Sequence, residues 1–289
     1  MDMKNKLKLI GGDPAVSRKP KALRLLSLIL AVSMIPALLL PMGTDEAYAA
    51  SSPYLNAKVL HMQAGDAYRL KLKGAKNVKW KTSNKKVVAV SKGKVKALKP
   101  GTATVTAIKG KKKYKCKVTV ASGNKKTLVI YFSATGTTKK AAEKLKKAAN
   151  ADIVRIVPRT KYLKKDLNYN KNCRANSEQN RNKYVAIATA ITDIKKYDTI
   201  YLGYPIWWGK EPGVIRMFLK NNKLNGKTVV PFCTSGGSGI SGSMKHIRSL
   251  AKGTDVKNGK DLTDCSADEI WQWAESRFSR SNSNKNRSL

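Results

Sequence analysis

Three short loops contain residue types that suit a flat ligand with a phosphate tail. They span residues 133–138, rich in Ser and Thr, 204–209, with two adjacent tryptophans, and 234–239, rich in Gly and Ser. Hydroxyls at a helix N-terminus can hold a phosphate, tryptophans in a loop can cover a ring, and glycines let backbone N–H groups approach it. Two alternatives stay open: a Thr of the first loop could simply cap a helix, and both tryptophans could belong to the core.

The elements around these loops alternate between strands and helices. Apolar runs predict strands at 127–132, 152–156, 199–203 and 227–232. Apolar spacing predicts helices at 139–150, 211–221, 240–250 and 267–275, with another beginning near residue 177. This alternation predicts an α/β fold with a doubly wound parallel sheet, here of about five strands. The three loops then follow strands at the carboxyl edge, where open α/β sheets bind ligands, and flavin mononucleotide (FMN) suits all three.

Residues 127–275 resemble the short-chain flavodoxin-like family. The resemblance rests on Gly-Tyr-Pro-Ile-Trp-Trp-Gly at 203–209, Phe-Cys-Thr-Ser-Gly-Gly-Ser-Gly at 232–239, and the loop at 133–138. It implies a flavodoxin-like domain over 127–276 that holds FMN without a covalent link. No residue then needs to be catalytic, because the flavin carries the redox chemistry.

The resemblance assigns three sets of residues to FMN. The phosphate set is Ser133, Thr135, Gly136, Thr137 and Thr138. The set bordering the isoalloxazine ring is Tyr204, Pro205, Ile206, Trp207, Trp208 and Gly209. The set on the polar side of the ring is Thr234, Ser235, Gly236, Gly237 and Gly239. The sequence departs from the family at Thr137, where Asn is frequent, and at Lys210 and Glu211, where smaller residues are common.

Residues 53–121 predict a separate small all-β domain. A hairpin pattern surrounds Gly93, and apolar and polar residues alternate at 102–108 and 114–120. Together with the stretches 80–84 and 100–107, these residues resemble a bacterial immunoglobulin-like domain of group 2, a β-sandwich. The resemblance implies a spacer or adhesive unit without catalytic residues. Residues 122–126 form a short polar linker to the second domain.

The charge of the chain is strongly positive. It has 58 basic and 18 acidic side chains, a formal charge of +40, and the β domain alone has 19 basic residues and one acid, Asp66. Such a charge indicates contact with anionic surfaces or polymers. The lysine-rich β domain is then either a solvated surface or a unit that binds an anionic cell-wall polymer, and the second domain has either an acidic redox protein or no protein as its docking partner. No recognition motif supports specific nucleic-acid binding.

The N-terminus has the pattern of an export signal. A basic lead precedes the apolar run 25–40, and Ala47-Tyr48-Ala49 fits a cleavage site. A retained anchor is the alternative. We therefore expect residues 1–49 to be a signal peptide and the protein to be secreted or cell-wall associated in a bacterium. Residues 277–289, rich in Ser, Asn and Arg, predict a disordered tail.

The remaining reactive side chains do not indicate a metal or a catalytic centre. His61 and His246 lack ligand companions, and the cysteines Cys116, Cys173, Cys233 and Cys265 show no C-x-x-C spacing. The preferred hypothesis is an exported FMN-binding redox protein, either an electron carrier or a reductase of a quinone or similar acceptor. Quinone, pyridine nucleotide and an acidic redox protein stay open as its donor or acceptor. The alternative is a wall-binding surface protein whose flavodoxin-like domain is structural.

Overall fold

The computed structural model describes residues 52–169 and 172–285, with side chains through Arg277. The predicted signal peptide lies outside the described residues. No helix within the described ranges is both long and apolar enough to cross a membrane. The four cysteines are unpaired.

The strands before residue 122 are β1 (Tyr54–Leu55), β2 (Val59–Gln63), β3 (Ala67–Arg69), β4 (Leu72–Lys73), β5 (Lys79–Thr82), β6 (Val88–Ser91), β7 (Lys94–Ala97), β8 (Gly101–Lys109) and β9 (Lys112–Ala121). The later strands are β10 (Thr127–Tyr131), β11 (Asp152–Arg155), β12 (Thr189–Ile191), β13 (Thr199–Pro205), β14 (Thr228–Thr234), β15 (Asp255–Val256) and β16 (Lys260–Asp261). The α-helices are α1 (Thr137–Ala148), α2 (Arg174–Asn180), α3 (Gly213–Asn221), α4 (Ser241–Leu250) and α5 (Ala267–Lys285).

The N-terminal part is the predicted β-sandwich. One sheet has the order β12-β2-β9-β8-β5 and faces a smaller sheet of the order β3-β7-β6. The hairpin around Gly93 is confirmed, because β6 and β7 pair antiparallel across it. Alternation in β9 buries Cys116, Val118 and Val120 and leaves Lys115 and Lys117 exposed. The sequence pattern therefore separates a core face from a lysine face, as period-two alternation requires.

The C-terminal part is a parallel sheet of the order β11-β10-β13-β14-β15, with β16 also pairing with β14. The short strands β15 and β16 together take the place of the fifth strand, beside β14. The apolar runs in the sequence located only the other four strands. Every residue of β10 is buried, because helices cover both faces of a parallel sheet. Leu128 and Ile130 pack on the face of α3, and Val129 packs on the face of α1 and α5.

The last helix differs from the sequence prediction. Helix α5 continues to Lys285, past the point at 277 where the sequence predicted a disordered tail. Residues 277–285 contain neither Gly nor Pro to end a helix, which gives a physical reason for the extension. Residues 286–289 lie outside the described residues.

The two domains share a sheet, which neither sequence pattern predicted. Strand β12, from the flavodoxin-like domain, pairs parallel with β2 of the sandwich, with Ala190 opposite Leu60. Beside this pairing, the His61 ring lies 2.9 Å from the Tyr197 hydroxyl, and Tyr197 donates to Asp152 at 2.9 Å. We call this region, β2 with β12 and the side chains around His61, the seam. The two domains are thus connected by backbone hydrogen bonds between β2 and β12 as well as by the predicted linker.

Candidate functional site

The first loop leads directly into α1. Gly136 takes φ 118° just before the helix, a conformation that favours glycine, and no side chain caps the helix. The buried Ser133 hydroxyl accepts the Gly136 N–H at 3.1 Å. Thr135 and Thr137 are exposed. The free N–H groups of the first helical turn and these two hydroxyls therefore remain open to an anion.

Thr138 has a different role from its neighbours. Its buried hydroxyl lies 2.8 Å from the Thr234 hydroxyl, so it joins the first loop to the third. The Ile206 N–H donates to the Thr234 carbonyl at 2.8 Å and joins the second loop to the third. The structure thus brings all three predicted loops together at the carboxyl edge of the sheet. We call these loops, 133–138, 204–209 and 234–239, the binding edge.

The two tryptophans of the second loop face different environments. Trp207 is 6% exposed and meets Phe132 and Tyr162 edge-to-face, with ring centroids 5.6 and 5.0 Å apart. Its carbonyl accepts a hydrogen bond from the Gln179 amide at 2.9 Å. Trp207 is therefore a core side chain at the sheet edge, one of the alternatives that the sequence left open.

Trp208 instead presents its ring at the surface. Its φ is 48° and that of Gly209 is 74°, while Trp207 and Lys210 exchange two backbone hydrogen bonds of 2.9 and 3.1 Å. Positive φ at two successive residues is typical of a tight type I′ turn. A bulky residue in this conformation is strained, by about 1–3 kcal/mol. The turn therefore holds the half-buried Trp208 indole in place, and the backbone strain at this residue is the cost in stability.

Tyr169 completes the aromatic wall. Its ring stacks on Trp208 with centroids 4.3 Å apart and planes 19° apart, and its hydroxyl donates to the Ile206 carbonyl at 3.1 Å. Sequence reasoning missed Tyr169, because the irregular stretch around it has no periodicity to place it. The pair limits a flavin ring to the uncovered parts of the indole.

A cavity of about 540 Å³ opens beside the first loop. It is lined by Thr135, Tyr162 and Asn168, together with Lys161 and Lys164. Its volume lies within the range of small-molecule sites, about 300–1,000 Å³. The two lysines make it attractive to a phosphate.

The third loop is braced by a part of the chain that the sequence did not single out. The Ser235 hydroxyl donates to Asp261 at 2.5 Å and accepts the N–H groups of Gly237 and Gly239 at 3.1 and 3.0 Å. The Ser235 N–H donates to the Thr263 hydroxyl at 2.8 Å. Gly237 and Gly239 have φ of 115° and 64°. Asp261 and Thr263 therefore hold the loop in place through Ser235, and the glycine backbone stays exposed at the surface.

The other predicted residues form the base of the binding edge. Tyr204 is fully buried, and its hydroxyl lies 3.0 Å from that of Ser243. Burial raises the pKa of this phenol, as it does that of the buried Cys233 thiol beneath the third loop. Ile206 is buried, Pro205 is half-buried, and Gly209 and Gly236 are exposed. Of the predicted ring residues, Trp208 is thus the aromatic group available to a ligand.

A buried ion pair supports the tryptophan loop from below. Glu211 and Arg216 are both fully buried, and the guanidinium donates to the carboxylate at 3.0 Å. Gln179 connects the pair to the loop, since its oxygen accepts from Arg216 at 2.7 Å and its amide donates to the Trp207 and Glu211 carbonyls. His246 Nδ1 lies 2.6 Å from the same carboxylate. In the described ranges, no cluster of three or more His, Cys, Asp or Glu could hold a metal.

The fold and the three loops define a flavodoxin-like α/β domain that follows an immunoglobulin-like domain. The chain belongs to the flavodoxin family, whose sequence model matches residues 126–277, and FMN is the cofactor expected of it. A model of the bacterial Ig-like domain (group 2) matches residues 60–120. Both resemblances are confirmed. No curated protein matches the chain.

Solved structures named as flavoproteins resemble the second domain. One from Bacteroides eggerthii DSM 20697 is 40% identical, covers 53% of this chain and 98% of its own, and has a TM-score of 0.51. One from Bacteroides uniformis ATCC 8492 is 37% identical, covers 52% and 97%, and has a TM-score of 0.50. A flavoprotein in complex with FMN from Lactobacillus acidophilus NCFM is 26% identical, covers 50% and 98%, and has a TM-score of 0.42.

Proposed function

We propose that this protein is an exported redox protein that binds FMN and exchanges electrons with a small acceptor such as a quinone, or with another redox protein. The observation that carries the proposal is the binding edge. An uncapped helix N-terminus, a surface indole and an open glycine loop are joined there by the Thr138–Thr234 hydrogen bond of 2.8 Å. These three features complement the phosphate, the ring face and the polar ring edge of one ligand.

Each part of the edge has its own role in this proposal. Thr135, Gly136 and Thr137 hold the phosphate, with Lys161 and Lys164 adding positive potential. Trp208 covers part of the isoalloxazine ring, and the exposed Gly236 N–H donates to its polar edge, because the Gly237 N–H is already bonded to Ser235. Bound FMN supplies reversible one- and two-electron chemistry. Trp207, Tyr204 and Thr138 contribute by fixing the loops and excluding water beneath them.

The absorption spectrum of the purified protein, before and after addition of FMN, tests the cofactor. We expect flavin bands near one equivalent and quenching of FMN fluorescence, because the ring stacks on Trp208. Trp208→Ala should weaken binding and restore the fluorescence. Trp271→Ala is the matched control, because that indole is 48% exposed and lies on α5, outside the three loops of the binding edge.

A protein that stays colourless with FMN would reject the redox proposal. It would favour the alternative, a surface protein in which the flavodoxin-like domain is a scaffold. Flavin binding that is unchanged in Trp208→Ala would contradict the assigned ring position only.

Turnover experiments separate the two redox roles. Steady-state oxidation of NADH or NADPH with a quinone acceptor would indicate a reductase. Rapid electron exchange with an acidic redox protein, without turnover of pyridine nucleotides, would indicate a carrier. The positive charge of residues 122–276, 28 basic against 13 acidic, favours an acidic protein partner.

The lysine face of the sandwich supports association with an anionic wall polymer. Lys81 lies opposite Thr106, and Thr106 lies opposite Lys115, so lysines of β5 and β9 project from the same face of the sheet. All of the lysines in β5 and β9 are exposed. We expect binding to purified cell wall at low salt that is lost at high salt. Salt-insensitive binding, or none at low salt, would contradict a role for this face.

Export rests on the sequence pattern of residues 1–49. The N-terminal sequence of the protein recovered from a bacterial culture tests it. A start at Ala50 in the extracellular or wall fraction would support cleavage after Ala49. Protein that starts at Met1 in the membrane fraction would indicate the retained anchor.

A further inference from the structure

A second pocket lies on the outer side of the tryptophan loop. It has a volume of about 430 Å³, and its lining includes Asn182, Tyr184, Lys210, Arg216, Lys245 and His246. It shares a wall with the binding edge: Lys210 directly follows Gly209, and a Cβ on Gly242 would lie 2.5 Å from the Gly209 carbonyl oxygen. A molecule in this pocket would therefore sit against the loop that carries Trp208.

The charge of this pocket is positive. Arg216 is neutralised by the buried carboxylate of Glu211. Lys210 and Lys245 are exposed, and among the described residues no carboxylate lies within salt-bridge distance of either ammonium group. Two uncompensated cations flank the same cavity, so an anion entering it gains Coulomb energy from both.

His246 is oriented toward the pocket by the ion pair beneath it. Its Nδ1 lies 2.6 Å from the Glu211 carboxylate, and Glu211 is fully buried while the His246 side chain is 33% exposed. Because Nδ1 faces the buried carboxylate, Nε2 lies at the open end of the ring. Protonated His246 would offer an N–H donor there. The position of this donor is fixed, because Arg216 and Gln179 hold the carboxylate group in place.

Tyr184 adds an apolar surface to this cationic site. Its side chain is 39% exposed, and the Lys220 ammonium lies 5.1 Å from its ring centroid. A ligand with an aromatic ring and an acidic group would contact both the phenol ring and the cations. An inorganic anion would use the cations alone.

We propose that this pocket binds the acidic group of an aromatic organic anion, a carboxylate or sulfonate, that serves as the electron acceptor. The claim that the pocket binds such an anion (the binding part) depends on the pocket alone. The claim that the anion accepts electrons (the acceptor part) rests on the proposed redox function. Lys210, Lys245 and His246 hold the acidic group, and the ring packs on Tyr184 beside the tryptophan loop. With FMN bound, a quinone acceptor would gain two electrons from the reduced flavin and two protons from the flavin and solvent to become a hydroquinone, and the flavin would return to its oxidised form.

Histidine NMR tests the binding part without FMN. The chain has two histidines, and His246→Gln assigns the exposed one. At constant ionic strength, we expect naphthalene-2-sulfonate to shift the His246 ring signals saturably, and the neutral 2-naphthalenemethanol to leave them unchanged. The double variant Lys210→Gln/Lys245→Gln should raise the Kd of the sulfonate about tenfold.

Lys146→Gln is the matched control, since this exposed lysine lies on α1, across the sheet from the pocket. It should leave the Kd unchanged. No saturable shift, or an equal change of Kd in both variants, would overturn the site.

Reoxidation kinetics test the acceptor part. In FMN-loaded, dithionite-reduced protein, the double variant should slow oxidation by anthraquinone-2-sulfonate about tenfold and leave oxidation by neutral 1,4-benzoquinone unchanged. Equal slowing of both would overturn the acceptor assignment while the NMR result stands. Failure of FMN loading would contradict the proposed function, and the NMR experiment would still decide the anion site.

Discussion

The binding edge and the seam both carry polar groups without protein partners, but only the binding edge is open to solvent. At the edge, the free N–H groups at the start of α1 and the exposed Gly236 backbone can bind water, which a ligand then replaces. At the seam, His61 Nδ1 and Asp193 Oδ1 are buried and have no hydrogen-bond partner among the residues that the structure describes. Burial therefore decides whether spare hydrogen-bonding capacity becomes a binding site or a cost in stability.

The binding edge and the seam are also stabilised by different kinds of contact. The edge consists of loops fixed by side-chain contacts, with strain at Trp208 (φ 48°). The seam is held by backbone pairing between β2 and β12 and by the Thr192 hydroxyl, which donates to Asp66 at 2.8 Å. We therefore expect changes to solvent-facing groups of the edge to alter ligand affinity, and changes to buried groups, whether beneath the edge or at the seam, to alter stability.

The largest effect should come from the ion pair beneath the edge. Arg216→Leu should lower the free energy of unfolding by about 3–5 kcal/mol, because it leaves the buried Glu211 charge with only the partly exposed His246 beside it. Urea unfolding measures the loss. Glu211→Leu added to Arg216→Leu should recover much of it, since the double variant buries no charge.

Arg248→Leu is the control for this change, because Arg248 is exposed and bonds only to Asn258 at the surface among its described contacts. It should cost less than about 0.5 kcal/mol. A similar loss in the two single variants would show that the buried pair does not support the edge.

The next effect separates affinity from stability at Trp208. Trp208→Gly should weaken FMN binding by about 1–3 kcal/mol through the lost stacking. It should lower the free energy of unfolding far less than Trp207→Ala does, because glycine adopts a φ of 48° without strain and this relief offsets the lost packing on Tyr169. Titration with FMN and urea unfolding of the same preparation measure both quantities.

Trp207→Ala provides the contrast, since this indole is buried against Phe132 and Tyr162. It should cost about 3–5 kcal/mol of stability. If Trp208→Gly destabilised the protein as much as Trp207→Ala, the division between a ligand-facing and a core tryptophan would be wrong.

The smallest effect concerns the seam and depends on pH. Burial lowers the pKa of His61 from 6.5, against the opposing effect of Asp193, Asp152 and Asp66. The unfolded chain then binds more protons than the folded one below pH 6.5, so stability falls as the pH falls. We expect a loss of up to about 1.4 kcal/mol for each pH unit over that window.

Burial raises the pKa of Asp193 from 3.8, which acts in the opposite direction. Because of this carboxyl, the protein becomes less stable as the pH rises above 3.8. The effects of Asp193 and His61 on the free energy of unfolding therefore partly cancel between pH 3.8 and 6.5. His61→Gln should flatten the decrease in stability just below pH 6.5, whereas His246→Gln should retain it. If the pH dependence of the free energy of unfolding disappeared only in His246→Gln, then protonation of His61 at the seam would not be its cause.

Much of the architecture could be predicted, because it depends on local patterns. The buried run at 127–132 and the alternation at 114–120 each specify a strand type. The short strands β15 and β16 have no such pattern, so the fifth position of the sheet could not be located. Two partners of the site, Tyr169 and Asp261, were missed because nothing near them in sequence places them beside Trp208 and Ser235.

The sequence by itself determined the two domains, the order of the three loops and the uneven distribution of charge. These properties depend on neighbours along the chain, through strand and helix periodicity and through composition. Only the tertiary structure decided that Trp207 is buried and Trp208 half-buried, that β12 joins the sandwich, and that Glu211 contacts His246. Each of these depends on contacts between residues distant in sequence, whose burial and pairing are set by packing rather than by local pattern.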